Sequence, residues 1–423
     1  MFFVVLALTI LGRAVAVTGA IAYCDGFPFC VPIHPLGWLK LAHIFAVGFA
    51  SLLMLVVFHK AWNEKRSHLV LLPLTTILGV MFFGQALVGA MQVTQSYPPH
   101  LVFLHQLTTV ALWVSLVLLT YVSGMKGDEI PNSPVTDHRQ RAMDFLALLK
   151  PLIVGLLLIT TYGGLVIGLK AWPSFSLTIW TMIGGALAAG GSSALNQYID
   201  RELDRHMQRT ARRPLAERRL TDAEGLAFGL GLSLVSYYIL ACFVNGLAAL
   251  LSLAGIVYYV ILYSLWLKKA TVQNIVIGGG AGAIPPLVGY AAATGGLDWT
   301  ALILFAIIFM WTPPHFWALA IVRMKDYERA GVPMLPVVRG EMETRKQILI
   351  YTIELVMVTL LLPILKLAGS LYLISSLVLG GALIYAAWAV WKQGGNKVAW
   401  RMYKWSSTYL VFIFLAIVID AVR

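Results

Sequence analysis

Long apolar runs separated by short polar breaks dominate this chain. Thirteen of them lie near 1–22, 37–59, 69–93, 101–124, 146–169, 176–198, 223–243, 246–266, 273–293, 299–321, 346–367, 370–391 and 404–422. Each approaches the roughly 20 residues that carry a helix across a hydrocarbon layer about 30 Å thick. Lipid leaves open backbone groups unsatisfied, so the runs predict helices rather than sheet strands. The expected fold is an all-α polytopic membrane protein of about 13 transmembrane helices, four in one bundle and nine in another. One polar stretch, KGDEIPNSPVTDHRQRAMD, interrupts the pattern from Lys126 to Asp144, and its Pro, Asn, Ser and charges mark a junction. The expected organisation is a four-helix module at 1–124, a linker at 125–144 and a larger module at 145–423, with no convincing repeat between the two. The first run also reads as an uncleaved signal anchor, because no small-x-small cleavage motif stands out before Thr18.

Composition agrees: 59% of residues are hydrophobic and only 12% charged. The net charge of +12 could point to nucleic acid, but its distribution points elsewhere. With the N-terminus outside, 26 of the 31 Lys and Arg fall in the inner loops, leaving only Arg13, Lys40, Lys170, Lys366 and Arg423. That bias predicts orientation and accounts for the charge without nucleic acid. Cys24 and Cys30, in YCDGFPFC, fall on the oxidising outer side, where a disulfide between them is expected. Cys242, within a helix, is expected to stay a free thiol.

Asn196, Asp200 and Asp204 recur every four residues where the run Leu177–Leu195 ends, so they share one helix face. Carboxylates so spaced suit Mg²⁺, an oxygen-seeking ion commonly shared with substrate phosphates. Arg201, Arg205, Arg209, Arg212 and Arg213 follow in the same segment. Acids among arginines read as a metal–diphosphate site facing the cytoplasm: Asp200 and Asp204 on Mg²⁺, Asn196 supporting it, Arg209 and Arg213 on phosphate oxygens. The bland alternative is a solvated juxtamembrane face, which needs no such register. Tyr198, Tyr258, Tyr259 and Trp311 are candidates to line a pocket for an allylic cation, set against simple packing.

Beyond the ladder, MQRTARRPL (207–215), LKKATVQNIVIGGGAGAIPPLVGY (267–290) and WTPPHFWALAIVRMKDYERAGVPMLPVVRG (311–340) resemble the heme O synthases. These are protoheme IX farnesyltransferases of the UbiA-type intramembrane prenyltransferase superfamily, and the likeness covers about 140–423. It implies a nine-helix bundle around a cavity open to lipid, and Mg²⁺-dependent farnesyl transfer from farnesyl diphosphate to a vinyl group of heme b, giving heme O and diphosphate. Many superfamily members carry a second Asp-rich stretch after the sixth helix; here RMKDYERAGVP offers only Asp326, among Arg323, Lys325 and Arg329. Arg323, Lys325 and Lys268 would then stand in for metal charge. His315, in PPHFW, is a polar group at membrane depth, open to contact with a heme substrate or to a packing role.

GRAVAVTGAIAYCDGFPFC, LAHIFAVGF and PPHLVFLHQLTTVAL resemble one half of a heme A synthase, over about 1–124. The resemblance implies that His43 and His105 ligate a heme b from opposite sides, with His100 a weaker rival to His105. The catalytic half of that family has an acid three residues before its first His, where this chain has Lys40, so the module resembles a cofactor-holding, docking or dimer half. A prokaryotic cell membrane, heme A or O synthesis for a terminal oxidase, and a heme A synthase, oxidase assembly proteins or a second copy as partners are the expectations that follow. Two rivals stay open: a non-enzymatic heme carrier or electron-transfer subunit, and a quinone-precursor prenyltransferase. A transporter built on the broken helix GGGAGAIPP is a third. Prenyl chain length is not legible.

Overall fold

A computed structural model describes residues 2–19, 31–32, 34–123 and 137–423. The expected Cys24–Cys30 link and most of the linker fall outside the described residues. In chain order the helices are α1 (Phe2–Val17), α2 (Gly37–Glu64), α3 (Leu71–Thr94), α4 (Pro99–Ser123), α5 (His138–Leu149), α6 (Pro151–Leu169), α7 (Phe175–Arg205), α8 (Asp222–Phe243) and α9 (Gly246–Val257). A π-helical segment (Tyr258–Leu267) and a single turn α10 (Lys268–Ala270) continue α9. Then come α11 (Asn274–Thr294), α12 (Trp299–Val322), α13 (Met324–Arg329), α14 (Leu335–Ile364, bent at Gly340), α15 (Ser370–Gln393) and α16 (Asn396–Ala421). Among the described residues there is no strand. Among the described residues, eleven helices are long and apolar enough to cross a membrane, counting Gly246–Ala270 as one; α1 is apolar but shorter. α7, 31 residues long, is diluted by Gly, Ser, Asn, Gln and its charged end. The protein is an integral membrane protein.

The chain divides into two compact units, one of Met1–Pro134 with Thr221–Tyr238, the other of Val135–Leu220 with Ile239–Arg423. In the first, α1 packs on α2, α2 on α3 and α3 on α4 around Val5, Leu8, Met54, Leu78, Phe82, Leu112 and Leu116. Two polar side chains inside it pair across helices: the Trp113 indole donates to Thr9 (3.2 Å) and the Gln85 amide to Thr109 (2.6 Å). The first part of α8 belongs with these helices. Thr221 and Glu224 cap its start reciprocally, and the Thr221 hydroxyl donates to the Arg66 carbonyl (2.6 Å). The Tyr238 hydroxyl donates to Thr108 (3.2 Å).

In the second unit α11 lies between α6 and α12, α12 packs on α14 and α16, α15 joins α14 to α16, and α16 returns to α6. Buried hydroxyls of Thr161, Thr312 and Thr352 donate to carbonyls four residues back, which satisfies them within their own helices. Helices approach closely where side chains vanish, as expected in lipid. A Cβ at Gly164 would collide with the Pro286 carbonyl oxygen. One at Gly289 would lie 2.9 Å from the Leu165 amide nitrogen and still nearer the Thr161 carbonyl. α6 and α11 therefore touch backbone to backbone.

Gly289→Val should lower the thermal unfolding midpoint in detergent, at a cost of about 2–3 kcal/mol or more because backbone cannot yield. Gly155→Ala, which meets nothing within 4 Å, should be neutral or slightly stabilising. Equal midpoints for the two variants would refute the close crossing.

Candidate active site

The C-terminal turns of α7 carry two parallel rows of polar side chains. Asn196, Asp200 and Asp204 form one row, all buried. Ser193 and Gln197 form the other, and both donate to the Leu148 carbonyl at 2.8 Å. The Asn196 amide donates to Asp200 Oδ2 (2.8 Å) and to Ser264 (3.0 Å), while its oxygen accepts from Lys150 Nζ (3.1 Å). Asn196 thus orients Asp200 and Lys150 and turns its oxygen away from the acids. Lys268 Nζ sits 2.5 Å from Asp200 Oδ2, and Arg213 Nη1 sits 2.7 Å from Asp204 Oδ2. Three basic side chains face two carboxylates, an excess that suits an anionic ligand.

The π segment supplies much of the facing wall. The Ser264 hydroxyl donates to the Tyr259 carbonyl five residues back (2.8 Å), and the Tyr259 and Tyr263 rings stack at 5.6 Å. Three successive glycines of α11 make room: a Cβ at Gly278 would strike Tyr263, one at Gly279 would strike Thr312, and one at Gly280 would strike the Tyr258 hydroxyl. The Tyr198 ring carries the Arg201 guanidinium at 4.5 Å. π turns of this kind recur at functional sites.

Lys150 stands at the αL turn between α5 and α6 (φ 52°, ψ 65°). Burial pushes its ammonium down to about 7; Arg213 and Lys268 add to the shift, and Asp204 and Asp200 oppose it. The segment from 206 to 220 holds Arg209 and Arg213. Arg219 anchors it through Nε to buried Asp144 on α5 (3.1 Å), and Arg205 Nε donates to the Ala216 carbonyl (2.8 Å). Arg209 is exposed and reaches the Tyr327 hydroxyl, which burial pushes up.

Around α13 the expected cations divide. Asp326 is buried between Arg329 (3.5 Å) and Arg323 (4.0 Å), so its charge is answered locally. Lys325 is exposed. Arg323 keeps a buried Nε without a partner. His315 is buried between Trp311 (ring centroids 4.2 Å) and Tyr403 (4.5 Å). Ser406 Oγ donates to the Tyr403 carbonyl (2.8 Å), so His315 Nδ1, 2.7 Å away, donates to Ser406 and leaves the Nε2 lone pair open. Trp311 spends its N–H on the Ser406 carbonyl (2.7 Å). In the first unit, His43 and His105 both have a buried Nδ1 without a partner among the described residues. Their Cε1 edges lie against Gly12 and Gly89. Cys242 is a buried thiol on α8.

Among the described residues, no three His, Cys, Asp or Glu side chains gather as a metal cage. Asp200 and Asp204 nevertheless suit Mg²⁺, which takes one or two carboxylates and completes its shell with water and phosphate. In both, Oδ2 carries the ion pair and Oδ1 accepts no hydrogen bond from the described residues.

A helical membrane bundle with two acids a turn apart, ringed by cations, is the architecture of an intramembrane prenyltransferase. Residues 157–408 match the model of the UbiA prenyltransferase family, and the chain belongs to that family. It is 40% identical over 425 aligned residues, 96% of this chain, to "Protoheme IX farnesyltransferase" of Roseiflexus sp. (strain RS-1), covering 79% of that protein. It is 50% identical to the protein of the same name from Symbiobacterium thermophilum, over 67% of this chain and 96% of that one. In fold it resembles a digeranylgeranylglyceryl phosphate synthase, with a TM-score of 0.55 at 20% identity over 67% of this chain and 99% of that one. The protein is an enzyme of the prenyltransferase class.

Lys150, Ser264, Tyr263 and the Asp144–Arg219 anchor do not stand out in the sequence. The one available signal was Lys150–Pro151 at the head of an apolar run, since proline favours a first helical position.

Asp144→Ala should loosen the segment at 206–220 by about 1.5–3 kcal/mol, the range for a hydrogen bond to a charged group. Limited proteolysis should then cut within 206–220 in the variant before any other site. An unchanged cleavage pattern would show that the segment is held elsewhere.

Proposed function

We propose that this enzyme transfers a farnesyl group from farnesyl diphosphate to a vinyl group of heme b, yielding heme O. The observation that carries the reading is the buried pair Asp200 and Asp204 with Lys150, Lys268 and Arg213 around it. The shared name of the Roseiflexus and Symbiobacterium relatives supports the choice of farnesyl and heme over a quinone precursor.

Asp200 and Asp204 would hold Mg²⁺ between protein and diphosphate, with Asn196 holding Asp200 in register. When bound, Mg²⁺ neutralises charge on the leaving group. Lys268 and Arg213, one bond away from the acids, are placed to take phosphate oxygens as charge builds on them. The C1–O bond of the farnesyl group breaks with its electron pair leaving on diphosphate, and the vinyl π pair forms the new C–C bond. Water quenches the cation left on the porphyrin side chain and gives up a proton. Tyr259 and Tyr263 offer π faces to the allylic cation, and their bulk limits water before transfer. His315, with Nε2 open, is the proposed contact for the heme substrate. Arg323, Lys325 and Asp326 form a peripheral basic rim, since Asp326 is answered by its own arginines.

The distribution of Lys and Arg favours a cytoplasmic active site in a bacterial cell membrane, with the N-terminus outside. For residues 1–124 we propose a bis-His heme b held by His43 and His105: two buried imidazole nitrogens without partners on separate helices suit that load. A heme A synthase or oxidase assembly protein would take the product.

Purified protein with Mg²⁺, heme b and farnesyl diphosphate should give heme O by mass, and chelation of the metal should stop it. Asp200→Ala or Asp204→Ala should reduce turnover more than tenfold, a barrier increase above about 1.4 kcal/mol, with helicity unchanged. Retention of a tenth or more of wild-type turnover would overturn the metal assignment. A low-spin bis-His heme spectrum should survive detergent exchange and vanish in His43→Ala/His105→Ala while farnesyl transfer persists. A spectrum unchanged in that double variant would place the heme elsewhere.

A further inference from the structure

Lys150 has a local geometry that a loop lysine does not need. Its backbone is in the left-handed region (φ 52°), which a side chain with a Cβ adopts only at a steric cost. What holds it there is the second row on α7: Ser193 and Gln197 both grip the Leu148 carbonyl, two residues before Lys150. Pro151, with its fixed φ, follows at the first position of α6. The turn is thereby clamped on one side and rigid on the other.

That clamp delivers the amine inward. A lysine at a membrane interface usually snorkels its ammonium toward water. Lys150 instead ends on the oxygen of Asn196, which is 4% exposed. Its partner there is a neutral amide. Lys268 and Arg213 are paired with the two acids, whereas Lys150 forms no ion pair among the described residues. Its direct partner is an amide and the nearby acids are already paired with Arg213 and Lys268, so an arriving anion would supply the close partner that its desolvation calls for.

We propose that Lys150 is a binding residue for the diphosphate of the prenyl donor, presented by a turn that Ser193 and Gln197 lock as positioning residues. The proposal rests on the prenyl-diphosphate reading of the Asp200–Asp204 site and adds a component to it. α7 then serves the same ligand twice: one row bears the acids, and the other row, offset by one residue on the same turns, fixes the neighbouring loop that brings the third cation. Asn196 joins the two, with its amide on Asp200 and its oxygen on Lys150.

The test uses the full chain in detergent, with inorganic diphosphate plus Mg²⁺ as the probe in calorimetry, and farnesyl diphosphate in steady-state kinetics at saturating heme b. Lys150→Gln should weaken diphosphate binding roughly ten- to hundredfold, the size of one charge-assisted contact, and raise KM for farnesyl diphosphate more than KM for heme b. Lys150→Arg should recover much of the loss. Ser193→Ala/Gln197→Ala should weaken binding to an intermediate degree while Lys150 is still present. Wild-type affinity in Lys150→Gln, or a lowered unfolding midpoint with diphosphate affinity intact, would overturn the proposal and reduce Lys150 to a structural turn residue. Asp200→Ala separates the two readings. If wild type and Asp200→Ala alike fail to bind diphosphate, the prenyl-diphosphate reading itself fails and takes this one with it. Binding lost in Asp200→Ala but untouched in Lys150→Gln sinks only the role of Lys150.

Discussion

Two carboxylates buried one helical turn apart set the terms for this structure. Asp200 and Asp204 are each about 3% exposed, and burying two carboxylates that deeply is costly unless positive charge lies close by. Lys268 reaches Asp200 from the end of the π segment, Arg213 reaches Asp204 from the segment after α7, and Lys150 arrives through Asn196 from the turn before α6. Three separate stretches of chain are thus drawn to one helix face. The further anchors follow from that demand: Arg219 on Asp144 steadies the stretch that bears Arg213, and Ser264 steadies Asn196.

The surrounding bundle makes such a polar centre tenable. Lipid offers no partner for a polar group, so the hydroxyls of α6, α12 and α14 turn back on their own carbonyls. Glycine lets α6 and α11 meet at backbone distance. The glycines of α11 split their task. Gly289 faces α6, while Gly278 and Gly280 receive the tyrosines of the π segment. One helix therefore closes the scaffold at one end and shapes the site at the other.

What was legible in the sequence follows from periodicity. Apolar length marks the spans, and a spacing of four puts Asn196, Asp200 and Asp204 on one helix face. Lys268 and Arg213 could be proposed because charge in an apolar chain is conspicuous. The role of Asn196 was less legible: its oxygen turns to Lys150 and its amide to the acid, a choice made by hydrogen bonding across 46 residues. Asp326 looked like a site acid by type, yet Arg323 and Arg329 at i±3 answer it within its own short helix. Helix α5 was hidden because its sequence, HRQRAMDFLALL, starts as a charged linker and becomes helical once Asp137 caps it. No periodicity of four could announce the π segment either, since its wide turn answers to neighbours and not to local propensity.

That wide turn has a consequence of its own. Between Tyr258 and Leu267 residues share a face at intervals of five: the Ser264 hydroxyl meets the Tyr259 carbonyl, and Lys268 follows Tyr263 by the same interval. Dropping one residue there would let the segment relax to ordinary α-helix, whose residues advance about 100° each at 3.6 per turn. Ser264 and Lys268 would swing together away from Asn196 and Asp200, though every side chain of the site remained encoded. Chain length across these ten residues therefore shapes the candidate site as much as any of its side chains does.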